Sequence, residues 1–117
     1  MKNNIIEQKS FAFAVRIVNT CLTLKESKHY ALANQLLKSG TSIGANIAEG
    51  VHAQSLNDFI HKLSISQKES NETNFWIRLL QETQILQVEE SQQLLNECEE
   101  IQRILSAIIK TTKKKYN

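Results

Sequence analysis

The chain has 117 residues, of which 41% are hydrophobic and 22% charged, with a formal net charge of +2. That length suits one domain with a real core and is too short for two. The composition excludes a disordered chain, and a charge so close to zero does not by itself announce a nucleic-acid binder.

Proline is absent and only three glycines occur, which argues against a turn-rich all-β chain and for helices. Helical periodicity appears four times. A first helix is predicted over about residues 4–25, with Phe11, Val15, Val18 and Leu22 on one stripe and Phe13, Ile17 and Leu24 on another. A second, over about 29–49, carries all three glycines in or just after it, with Gly50 placed as a C-cap. The third runs from about 55 to 83 and opens on Ser55 with Asp58 three residues on, a capping-box-like start. The fourth, about 88–112, has Leu94, Cys98, Ile101, Leu105 and Ile108 on one face and Glu99, Arg103 and Lys110 opposite. The closing TTKKKYN is expected to fray. Links of only a few residues make sequential helices antiparallel. The expected fold is therefore all-α, an antiparallel up-down-up-down four-helix bundle, occupying 1–117 as one domain with a short basic C-terminal tail.

The stretch QLLKSGTSIGANIAEG raises a question, because a glycine inside a helix costs about 1 kcal/mol against alanine. On a helical wheel Leu32, Leu36, Gly40, Ile43, Gly44, Ile47 and Ala48 share one arc, while Lys38, Ser39, Ser42, Ala45, Asn46 and Glu49 share the other. Gly40, Gly44 and Ala48 then form an inward notch that admits a second backbone. The third helix is small in the middle of its series Phe59, Leu63, Ser66, Ser70, Thr73, Ile77, Leu80 and is the expected occupant. The rival reading of SGTSIG as a phosphate cradle lacks the Walker lysine-serine ending and a preceding strand.

Chemistry is sparse. His29, His52 and His61 have no metal-ligand spacing, and the Glu-x-x-His pattern of a di-metal bundle is missing. Cys21 and Cys98 sit at apolar helical positions and are expected as buried free thiols. No nucleophile, base and orienting group can be placed together, so neither catalysis nor a cofactor is expected. With no apolar leader pattern in MKNNIIEQKS and no long apolar run, a cytoplasmic protein without a membrane span is expected. Excess apolar surface is the better clue: Phe13, Ile17 and Leu24, and Ile65, Trp76 and Leu79 on the third helix, lie off the main seams. Either the bundle wraps them or they form a subunit interface.

Gln35, Lys38-Ser39-Gly40, Ser42-Ile43 and Ala45 to Gly50, together with KSFAFAVRIV, DFIHKLSISQKES and CEEIQRILSAIIKTTKK, resemble a bacterial family of four-helix bundles. That family is named for proteins encoded in intervening sequences of 23S ribosomal RNA genes. The resemblance implies an antiparallel four-helix bundle and a homo-oligomer, by likeness a pentamer. It makes Gly40, Ser42, Gly44, Asn46, Glu49 and Gly50 the family signature, for packing or subunit contact. A related branch, the accessory variability protein of diversity-generating retroelements, is a basic pentamer that binds nucleic acid. RNA or a ribonucleoprotein is thus the expected partner, with Lys38, Lys62, Lys68, Lys113, Lys114 and Lys115 as candidate contacts. A structural or protein-interaction module without nucleic acid is the alternative. Where many relatives carry arginine or lysine after the Glu49-Gly50 turn, this chain has Val51-His52-Ala53-Gln54.

Overall fold

The computed structural model describes residues 4–116; residues 1–3 and 117 of the single predicted domain lie outside the described residues. Four helices, α1 (Asn4–Glu26), α2 (Tyr30–Val51), α3 (Leu56–Glu82) and α4 (Val88–Tyr116), form a bundle measuring 48 × 21 × 20 Å. Each packs on its sequence neighbours and α4 closes on α1, while the diagonal pairs α1–α3 and α2–α4 do not meet. This is the expected up-and-down order, forced by links too short for a crossover.

The centre is filled by Phe13 and Ile17 of α1, Leu36, Ile43 and Ile47 of α2, Leu63, Ile77 and Leu80 of α3, and Leu94, Ile101 and Leu105 of α4. Each such side chain stabilises the fold by about 1.5–3 kcal/mol through removal from water. The hydroxyls in the core are satisfied locally. Ser70 donates to Gln67 O at 2.7 Å and Thr73 to Glu69 O at 2.8 Å, whereas Ser66 crosses to α2 and donates to Ile43 O at 2.8 Å. Ser55 caps α3 as expected, accepting from the Asp58 amide at 3.1 Å.

The glycine notch is real, but α1 fills it, not α3. A methyl on Gly44 would lie 3.2 Å from Ser10 O, and one on Gly40 would lie 2.8 Å from Ile17 Cγ2. The small stripe of α3 does approach α2, at the Ile43 carbonyl rather than at the glycines. On α2, Ser39 belongs to the buried arc and Ala48 to the exposed one, because the burial centre lies along Leu36, Ile43 and Ile47.

The same contact decides which stripe of α1 turns inward. Phe13, Ile17 and Leu24, expected as surplus, are buried, and Phe11, Val15, Val18 and Leu22 face outward. The two stripes are similarly apolar, but only the Phe13 side places small Ser10 against Gly44 and Ile17 against Gly40. On α3, Ile65, Trp76 and Leu79 are half-buried, and Trp76 Nε1 donates to Glu72 Oε2 at 3.1 Å.

Two further expectations are corrected. Gly50 is no left-handed cap: α2 runs on to Val51, and Gly50 is buried where a methyl would lie 2.8 Å from Leu63 Cδ1. The left-handed residues are Lys28 (φ 69°) and Gln84 (φ 62°), one in each of the other two links. Both close a Schellman-type end, with His29 N on Leu24 O at 2.9 Å and Ile85 N on Leu80 O at 3.0 Å. The basic tail does not fray within the described residues: α4 continues to Tyr116, where Lys113, Lys114 and Lys115 oppose the negative end of its dipole.

Candidate functional site

The outward stripe of α1 is the feature that the bundle itself leaves unpartnered. Phe11 is 70% exposed and Leu22 59%, with Val15 and Val18 also open and spaced at successive helical turns between them. The flank of α2 beside this stripe carries Thr41, Gly44, Ala45 and Ala48, whose small side chains leave a trough against Phe11 and Ala14. The trough holds about 570 Å³ and ends at Glu7 and Gln8. A second depression of about 290 Å³ continues along α1 past Ala14, Val15, Val18 and Asn19. Ala14 lines both, so it is the low point of a long apolar face.

The neighbouring seam, α1 against α4, is polar. Lys9 meets Glu100 at 3.2 Å, Arg16 meets Glu97 at 3.2 Å and Gln93 at 3.1 Å, and Thr20 donates to Glu90 at 3.0 Å. A pocket of about 180 Å³ lies in this seam, and Glu97 Oε1, itself buried, has no hydrogen-bond partner among the described residues. These pairs are partly exposed and worth about 0–1 kcal/mol each. They hold α1's basic side chains toward α4 and away from the apolar stripe.

The predicted lysines are not gathered into one site. Lys38 and Lys68 are exposed on the outer faces of α2 and α3, and Lys113, Lys114 and Lys115 stand on the last turn of α4. Lys62 is already engaged, 2.9 Å from Glu49, and that hydrogen bond and charge raise its pKa above the ordinary lysine value. Sequence reasoning left Arg103 and Lys110 out of the candidate set, although both are exposed on α4 at helical spacing from Lys113 and Lys114. The spacing was the available signal.

The signature residues divide by role. Gly40 and Gly44 admit α1 and Gly50 admits α3. Ser42 donates to Lys38 O at 2.6 Å and Asn46 to Ser42 O at 2.8 Å, so both are satisfied within α2, and Glu49 holds Lys62. Among the described residues no group of histidine, cysteine or acidic side chains could hold a metal ion. No described helix is long and apolar enough to cross a membrane. Cys21 and Cys98 are buried free thiols whose pKa values burial pushes up to about 11 and about 12.

A family profile described as 23S rRNA-intervening sequence protein matches residues 2–107, nearly the whole bundle. The chain belongs to that family. A solved structure similar to this intervening-sequence protein is a protein of unknown function from the S23 ribosomal protein family of Bacteroides thetaiotaomicron VPI-5482. It is 47% identical, with a TM-score of 0.88 over 90% of this chain and 98% of the other. A search of curated proteins found no match. The glycine contacts and the α1 face therefore belong to a 23S rRNA-intervening sequence protein.

Proposed function

We propose that this intervening-sequence protein acts as a non-catalytic homo-oligomer, assembled through the α1 face and offering repeated basic groups to RNA or a ribonucleoprotein. The observation that carries this reading is the continuous exposed stripe Phe11, Val15, Val18 and Leu22 beside the α1–α2 trough. Fully exposed, an aromatic or aliphatic stripe of this length presents roughly 400–500 Å² of apolar surface, near the upper end of what monomers tolerate. A second copy covers it. Five copies, the number the family resemblance implies, would carry about +10 in total and repeat Lys38, Lys68 and the α4 end around the assembly. Arg103, Lys110, Lys113 and Lys114 along one α4 support contact with phosphates, and the absence of a basic side chain after Gly50 limits its strength.

Light scattering coupled to size exclusion, followed by anisotropy titration of a fluorescent structured RNA at two salt concentrations, tests both parts. The expected result is a multimer that binds RNA with log K falling by roughly 0.7 per phosphate contact per decade of salt. A monomer of 13.4 kDa at high micromolar concentration overturns the assembly. A multimer that ignores RNA at low salt leaves the structural or protein-interaction module as its role.

A further inference from the structure

A second exposed aromatic lies on the opposite corner of the bundle. Phe75 of α3 is 53% exposed, stacked edge-on against Trp76 with ring centroids 5.1 Å apart, on the side of α3 away from its buried series. Because α1 and α3 are diagonal and do not meet, a two-fold contact through α1 alone would cover one apolar patch and leave the other in water. A head-to-tail contact covers both with a single repeated interface.

Resting on the subunit-interface reading above, we infer that the occupant of the α1 face is the outward side of α3 from a second copy, with Phe75 seated in the depression over Ala14. Direction and charge fix the register. In an up-and-down bundle α1 and α3 run the same way, and rotation about an axis along the bundle preserves that, so the incoming α3 lies parallel to α1. With Phe75 over Ala14, residues seven positions earlier face each other, and these are Lys68 and Glu7. Both lie about 10 Å, two turns, before the aromatic contact. Neither Lys68 nor Glu7 takes part in an ion pair among the described residues, and Glu7 lines the end of the trough. The basic residues of α1 nearest this face, Lys9 and Arg16, are turned to α4 by Glu100 and Glu97, so the incoming Lys68 and Arg78 meet no like charge there. The small side chains of α2 at Thr41, Gly44 and Ala45 leave the space a helix ridge needs. A repeated contact of this kind closes as a ring when its rotation divides the circle.

The test is the mass of four variants by native mass spectrometry and light scattering, with circular dichroism confirming the helical fold. Phe75→Arg is expected to give monomer at concentrations where the parent is assembled. Lys68→Glu should weaken assembly roughly tenfold, and pairing it with Glu7→Lys should restore most of that loss. Val15→Arg separates the two ideas. If Val15→Arg dissociates the protein but Phe75→Arg and the charge swap do not alter its mass, the α1 interface stands and the α3 occupant is wrong. If neither arginine variant changes the mass, both readings fall.

Discussion

Replacing Gly40 by alanine sets two effects of known size against each other. Helix propensity alone makes the alanine variant more stable by about 1 kcal/mol. The new methyl would stand 2.8 Å from Ile17 Cγ2 and 2.9 Å from Ile17 Cγ1, both well inside contact distance. Those atoms are the branch next to the backbone of a fully buried side chain, so no flexible tip can swing aside. Overpacking of this kind costs about 1–3 kcal/mol, and the tight geometry places Gly40→Ala toward the upper part of that range. The net expectation is a loss of about 1–2 kcal/mol, or roughly 3–5 °C in Tm per kcal/mol for a domain of this size. Urea unfolding followed by circular dichroism at fixed protein concentration measures it, since assembly makes stability concentration-dependent. Ala45→Gly, exposed on the same helix, supplies the propensity control, with an expected loss of about 1 kcal/mol. Ile17→Ala alone costs about 2–5 kcal/mol, but combined with Gly40→Ala the methyl enters vacated space. The double variant should be more stable than the sum of the singles by about 1–2 kcal/mol. A Gly40→Ala protein stabilised by the full propensity gain, with no coupling to Ile17, would refute close approach as the reason for the glycine.

Further expectations concern the turns and the thiols. Lys28→Gly and Gln84→Gly each relieve a left-handed conformation that costs an L-residue about 1–2 kcal/mol, against an entropic cost of about 0.5–1, so each should raise the midpoint of unfolding modestly. A lowered midpoint in both would mean that the side chains, not the backbone, hold these turns. The raised pKa values of Cys21 and Cys98 predict that neither thiol reacts with a disulfide reagent at about pH 8 until urea unfolds the chain. Rapid labelling of the native protein would show that the bundle opens. The unfolded chain releases these thiol protons first, near the ordinary value of 9.0, while the folded chain holds them to about 11 and about 12. Their contribution is therefore complete below that value and is lost as pH rises through the folded values, so stability should fall in that alkaline window.

Fold class, helix number and the seams of α2, α3 and α4 were legible in the sequence because they follow from local rules. Apolar residues recur at helical spacing, short links impose antiparallel neighbours, and Ser55 caps α3 through its own third residue. The likeness to the intervening-sequence family was legible for the same reason: its signature is contiguous in the chain, from Gln35 to Gly50. Where the glycines point was only half legible. A wheel places Gly40 and Gly44 near the packing side but cannot say which neighbour they admit, since that depends on rotation of α1 about its own axis. Both apolar stripes of α1 satisfy the hydrophobic effect about equally, because burial is non-directional and rewards area. Steric fit breaks the tie. Only the Phe13 and Ile17 side brings Ser10 close enough to meet Gly44, and that choice leaves Phe11, Val15, Val18 and Leu22 outside. The sequence by itself determined that this protein is a four-helix bundle with more apolar surface than one core needs. Only the tertiary structure decided which surface that is, because close packing is set by pairs of residues far apart in the chain, whose meeting no local pattern records.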